Sequence, residues 1–339
     1  MLPTAPPTPL NDAHQGGLSF SGIRGRSGMS KPAKTHQEQL DLWKSRGLVV
    51  PDEPLALHIL AHHNYYRLSA YRFPYTLPGQ PDVFRPGATF DQLWNLYHFD
   101  RSLRQLLLEA CKRVEISART QWAYVTSHRL GPLGYLENAH FSDPLTHART
   151  LVKLDSEMNR SNEEFVKHHK QKLGMPWPPA WVIAEVASFG NVSHLIGQLR
   201  EPSLRQAIAD AYQLDEKTFC SLLHHLSVVR NTAAHHSRIW NRKFTIALQL
   251  PRKKPPHLHA NFHQPPGTEP ARCLYNTLVL ILHLVHCIEP ASHLPIRLIR
   301  ILRDVNAARL PDMGFPPDWE TRPIWDALLT ATPGKDAHP

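Results

Sequence analysis

An all-α bundle is the fold class that the sequence predicts, and three observations predict it. Apolar residues recur at three- and four-residue spacing over most of the chain from residue 35 onward. The β-branched and aromatic bias of a strand is confined to one short stretch, FTIALQL at 244–250. Pro/Gly-rich breaks at 73–88, 131–136 and 174–180 cut the pattern into helix-sized lengths. The expectation is a helical bundle with extra helices and at most a minor strand element. It forms one domain over residues 29–328, between disordered tails at 1–28 and 329–339.

The elements follow in order. Thr35 is placed to cap HQEQLDLWKSRG, which ends at Gly47. Pro54 opens PLALHILAHHNYYRLSAY, in which Tyr65, Tyr66, Leu68, Tyr71 and Phe73 are expected to pack onto the bundle, with stacking on RNA as the other reading. Thr89 opens the longest amphipathic pattern, to about His128, with Leu93, Leu96, Leu103, Leu106, Leu107, Ala110, Val114, Ala118 and Trp122 on one face. Further helices are expected over 145–172, 180–199 (weakest at Gly190), 203–212, 216–237, 273–288 and 294–307. The aromatic stretch 312–325 is expected to dock irregularly on the body.

Composition narrows the function classes. Thirty-eight Lys and Arg against 29 Asp and Glu leave +9, a balance that suits a polyanionic partner as well as mere solubility. No apolar run reaches the ~18–20 residues of a membrane span. The longest, LYNTLVLILHLVHCI at 274–288, is interrupted by Asn276, His283 and His286 and reads as a buried core helix. The N-terminus lacks the layout of a signal peptide. Met29 is a candidate native start, with 1–28 as an over-called extension. Four scattered cysteines without a CxxC pair fit a reducing cytoplasm and argue against a zinc ribbon. Adjacent His pairs (62–63, 168–169, 224–225, 235–236) point about 100° apart on a helix and do not chelate from one face. No GxGxxG follows a strand, and GxxxxGK[ST] is absent. No metal and no cofactor is expected.

Chemistry is concentrated in LSVVRNTAAHHSRIWNR, residues 226–242. On a helical wheel Phe219, Leu222, Leu226 and Ala233 form an apolar stripe, and His235 lies roughly opposite, with Asn231 one turn before it. Arg230 falls on the flank, ~7.5 Å along the axis from His235. A half-buried guanidinium there needs a carboxylate or phosphate. Glu185 is a candidate partner, unless the side chain wraps toward His235 or two copies of the helix face each other. The spacing alone is weak: Arg252 and His257 repeat it across Pro255 and Pro256, which bar a helix. His236 is expected to cap the helix end or assist. Arg238 and Arg242 read as phosphate contacts or structural ion pairs, and Trp240 as core or as a base-stacking ring. The basic stretch 252–259 reads as a phosphate contact or a solvated loop.

At these residues the sequence resembles the Abi (abortive infection) proteins of the AbiD/AbiF type, within the HEPN superfamily of α-helical bundles. RNTAAH fits the superfamily pattern of Arg, a polar residue, three variable residues and His. RNTAAHHSRIWNR resembles the Abi signature, as do NYYRLSAYRFPY (64–75), FDRSLRQLLLEACKRVEISAR (99–119), PPAWVIAEVASFG (178–190) and MGFPPDWETRPIW (313–325). Thr232–Ala233 stands where a Cys often precedes Ala-His-His, and Ala70 where Gly is usual.

The resemblance implies metal-independent RNA cleavage by a toxin-like protein of phage defence, held in check by an inhibitory small RNA or antitoxin. In that reading Arg230, Asn231 and His235 are catalytic, and Arg238, Arg242 and His236 bind RNA. A histidine can move a proton near neutrality, and a guanidinium matches two phosphate oxygens. One motif carries one such His, so separate acid and base roles favour a homodimer with a shared cleft. A non-catalytic RNA- or partner-binding module on the same bundle is the competing expectation. A DNA-binding regulator is disfavoured for want of a helix-turn-helix.

Overall fold

Capping signals convert into helix ends much as the sequence dictates. In the computed structural model Thr35 caps α1 (His36–Ser45) in a reciprocal box with Glu38. Thr89 does the same with Gln92 for α4 (Phe90–Leu130). Gly47, at φ +96°, supplies the left-handed residue after α1. The structure describes residues 32–169, 174, 176–251, 255–264 and 269–331. The tail 1–28, residues 332–339 of the second tail, Lys172, and Arg252, Lys253 and Lys254 of the basic loop lie outside the described residues.

The helix expected from Pro54 to Tyr71 is two: α2 (Glu53–His62) and α3 (Tyr65–Ser69). Asn64 divides them, because its side chain accepts from the Tyr66 N–H and caps a new helix. Sheet structure also falls elsewhere than expected. Residues 244–250 form no strand. Instead β1 (Thr76–Leu77) and β2 (Gln80–Phe84) make a small antiparallel hairpin inside the presumed connector. Pro78–Gly79 turns it, with Gly79 at φ +72°. Its residues are mostly exposed, so no alternation announces it.

Beyond α4 come α5 (Pro144–Arg160), α6 (Glu164–Lys167), α7 (Ala180–Val186), α8 (Phe189–Gly197), α9 (Pro202–Ala209), α10 (Glu216–Ala234), α11 (Pro256–His259), α12 (Leu274–Ile288), α13 (Leu294–Asp304) and α14 (Pro323–Ala331). The break within 180–199 comes at Ala187–Ser188, not at Gly190, which lies inside α8. Glu157 fixes the break by accepting from the Ser188 N–H at 3.0 Å and from Asn191 at 2.9 Å.

Helix α4 is the axis of the fold. It packs against α7, α9, α10, α12 and α13, and Leu103, Leu106, Leu107, Ala110, Val114, Ala118 and Trp122 are fully buried along it. Every residue of α12 from Leu274 to Val285 is buried, as befits a helix apolar nearly all round. Among the described residues no helix is long and apolar enough to cross a membrane. The C-terminal aromatic stretch docks as expected: Trp325 stacks on Tyr275, and Phe315 and Trp319 meet Tyr275 and Trp325, respectively, edge-on. The molecule is an all-α bundle with one minor hairpin.

Candidate functional site

Helix α10 starts at Asp215, whose carboxylate accepts from the Thr218 N–H, and ends one residue before His235. Phe219, Leu222, Leu226 and Ala233 are buried, so the apolar stripe lies where the wheel placed it. The helix closes in a Schellman motif: the His236 N–H donates to the Ala233 carbonyl and the Ser237 N–H to the Thr232 carbonyl, each at 3.0 Å. His236 occupies the left-handed position, φ +56°, where glycine is usual. It thus closes the helix end, as expected of it, through backbone geometry.

The end of α10 is tied to two other elements. Arg67 of α3 donates to the His236 carbonyl at 2.6 Å, and Arg238 donates back to the Ala70 carbonyl at 3.1 Å. Asp100 of α4, fully buried, accepts from the Ile239 and Trp240 N–H groups at 3.1 and 2.7 Å. Its other oxygen takes the Tyr71 hydroxyl at 2.5 Å and the buried Arg104 guanidinium. Residues 236–242 are therefore pinned as a turn across α3 and α4.

Against this frame the predicted residues sort clearly. His235 is the C-cap of α10 and exposed, and its ring makes no hydrogen bond among the described residues. Arg230 is half-exposed, with 40% of its side chain open to solvent. Its guanidinium donates to the Asn231 side-chain oxygen at 3.1 Å. Its acidic partner is Glu115 of α4, 3.9 Å away. Glu185 does not pair with Arg230. The Glu185 side chain is exposed, and its backbone carbonyl accepts from Arg119 at 3.4 Å. Arg119 also binds the Glu115 carboxylate and the Ala187 carbonyl. Glu115 is 8% exposed, so one buried carboxylate faces two guanidiniums.

Arg238 is half-buried between the rings of Phe73 and Trp240, 5.9 and 5.6 Å from their centroids. Burial lowers its pKa below the usual arginine value. Arg242 is exposed and donates weakly to the Arg238 carbonyl at 3.4 Å. Trp240 is fully buried, which makes it core. The structure brings the Arg230 and Asn231 side chains into contact, and the His235 backbone N–H donates to the Asn231 carbonyl at 3.0 Å while its ring bonds neither side chain. Sequence reasoning missed Glu115, Arg67 and Asp100. The i,i+4 pair Glu115–Arg119 was the one available signal, since it puts an acid on the face of α4 that meets α10.

Two expectations about the 64–75 stretch need correction. Leu68 and Tyr71 are buried as expected, but Tyr66 is 78% exposed and Phe73 48% exposed. They do not pack the N-terminal helices onto the bundle. Helix α3 is only five residues long and anchors through Leu68 and Ser69, so Tyr66 is turned outward. Among the described residues, no cluster of three or more His, Cys, Asp or Glu side chains is gathered to hold a metal ion.

Comparisons with known proteins bear on this geometry. Among curated proteins and among solved structures they find no match. The family model of Abi-like proteins (Abi_2) matches residues 58–241, more than half of the chain. The matched span starts in α2, includes the Arg67 and Asp100 anchors, and ends one residue past Trp240. The chain therefore belongs to the family of Abi-like proteins.

Proposed function

We propose that this protein is a metal-independent endoribonuclease of the HEPN type, acting in phage defence. The family itself points to abortive infection. The observation that carries the finer reading is the state of two groups at the end of α10. His235 and Arg230 keep solvent access beside a turn whose backbone is held by Arg67 and Asp100.

RNA supplies its own nucleophile. In the proposed reaction His235 takes the proton from the 2′-hydroxyl or gives one to the leaving 5′-oxygen. Arg230, aligned by Glu115 and Asn231, stabilises the charge that develops on the phosphorane. The 2′-oxygen bonds to phosphorus as the 5′-oxygen leaves, giving a 2′,3′-cyclic phosphate and a 5′-hydroxyl. Exposed Arg242, the outer edge of Arg238 and His236 serve as phosphate contacts. Because the motif lies on open surface, a second copy of the chain completes the cleft and supplies the second histidine. An inhibitory small RNA or antitoxin is the proposed restraint, and the cytoplasm the proposed setting.

The Arg230–Glu115 pair favours one other reading, a non-catalytic RNA- or partner-binding module, because it gives Arg230 a structural partner. Wild type, Arg230→Ala and His235→Ala, assayed for RNA cleavage in EDTA and for growth arrest, separate the two. Cleavage by wild type alone, reduced ~10²–10⁴-fold in His235→Ala, is expected. Equal RNA binding by all three without cleavage would establish the module instead.

A further inference from the structure

Tyr66 stands at the mouth of a cleft of about 560 Å³, whose lining includes Lys34, His36, Arg46, Tyr65, Arg72 and Asp82. This is within the usual volume range of small-ligand sites. Its floor is rigid. The Tyr65 ring stacks on buried Trp43 at 4.6 Å, and Tyr66 stands edge-on to Tyr65 at 5.6 Å and 90°. Arg46 donates to the Tyr65 hydroxyl at 3.3 Å. Asp82 is shared by Arg46 and Arg72, at 3.0 and 3.4 Å. The lining thus carries Lys34, Arg46 and Arg72 against the one carboxylate of Asp82, and the cleft is net positive.

The cleft is also fixed relative to the end of α10. Arg67, the residue after Tyr66, is the one that binds the His236 carbonyl. A chain leaving His235 across α3 meets the exposed Arg67 guanidinium and then the open face of Tyr66.

From this arrangement we infer that the cleft is a nucleotide-binding subsite, separate from the cleaving groups, which holds the RNA flanking the scissile phosphate. Tyr66 stacks one base, and Lys34 and Arg46 face the adjoining phosphate. A tyrosine that is 78% exposed yet mounted on a rigid aromatic stack loses little entropy on binding a base. A ring in this position needs an unpaired base with a free face, so the subsite takes single strands and rejects duplex.

The inference rests on the nuclease reading for its ligand, and its test is separable from that reading. The probe is a fluorescein-labelled 2′-O-methyl octaribonucleotide, which lacks the nucleophilic hydroxyl and is not cleaved. Anisotropy at fixed salt measures its binding, single-stranded and as a blunt duplex. Wild type is expected to bind the single strand more tightly than the duplex. Tyr66→Ala is expected to weaken single-strand binding roughly five- to hundredfold. Tyr66→Phe should bind as wild type does, and Lys34→Ala should weaken binding and flatten its salt dependence. Unchanged binding by Tyr66→Ala, or no single-strand binding by wild type, overturns the subsite. Absence of cleavage of ordinary RNA by wild type, with Tyr66-dependent binding intact, sinks the nuclease and leaves the subsite standing.

Discussion

At the scale of single residues the decisive feature is Glu115. A buried carboxylate is costly unless it is paired. Here it is shared between Arg119, which is locked to two backbone carbonyls, and Arg230, which is not. Arg119 spends its charge on the fold, and Arg230 keeps a solvent-facing edge. Glu115 touches no substrate in the proposed reaction and acts through Arg230. Replacing it with Gln preserves shape and removes the charge that aligns the guanidinium. Cleavage by Glu115→Gln should fall about tenfold, within what small misplacements of catalytic groups cost, mainly in kcat with KM little changed. Glu115→Asp should recover part of the loss. Steady-state kinetics on a short RNA decide this, and an unchanged kcat would leave Glu115 a purely structural anchor. The motif residues themselves were legible in the sequence, because helical periodicity put His235 off the apolar face. Glu115 was not: its role depends on how α4 and α10 cross, and no local pattern encodes a crossing. Tyr66 misled for a related reason. An aromatic in an aromatic-rich stretch reads as core, and only the shortness of α3 turns it outward.

At the scale of elements, the site depends on how the chain is held after α10 ends. Helix caps written in Thr35 and Thr89 were readable and fix helix starts, and Asp215 caps α10 without having been read from the sequence. The exit from α10 has no such glycine signal, since His236 adopts the left-handed conformation at a cost of ~1–2 kcal/mol. That cost is tolerated because Arg67, Arg238 and Asp100 hold the turn on three sides. Asp100 is central, since it bonds two backbone N–H groups of the turn and neutralises Arg104, itself 4% exposed. Asp100→Ala leaves a buried guanidinium unpaired and two N–H groups without an acceptor. It should cost about 3–5 kcal/mol. The double change Asp100→Ala with Arg104→Met should recover a large part, because the stranded charge is gone. Urea unfolding of the three proteins measures this. A loss below about 1 kcal/mol in Asp100→Ala would mean that the turn is held by its other contacts.

At the scale of the whole molecule, buried histidines make the bundle acid-sensitive. His225 on α10 bridges two regions far apart in sequence. Its Nδ1–H donates to the Ile246 carbonyl at 2.8 Å, and Nε2 accepts from the Thr277 hydroxyl of α12 at 2.9 Å. Burial lowers its pKa from 6.5 to about 4, only partly offset by the Ile246 carbonyl. His147 and His283 are lowered by burial as well. The folded value lies below the unfolded one, so between them the unfolded chain binds more protons, and stability falls as pH falls. Stability from His225 is present in full above about pH 6.5 and is lost as pH drops toward 4. For this residue alone the loss between pH 7.5 and pH 5 is about 2 kcal/mol. Both contacts survive protonation, since Nδ1–H still donates to Ile246 and a protonated Nε2 donates to the Thr277 hydroxyl, so the cost of protonation is the burial of a charge. Unfolding free energies from urea titrations at pH 7.5 and pH 5 should differ by about that amount in the wild-type protein. In His225→Gln, which retains hydrogen-bonding capacity but does not titrate, the pH difference should shrink by about 2 kcal/mol. An equal pH slope in the two proteins would locate the acid sensitivity in other groups and show that His225 takes up its proton in the fold without cost.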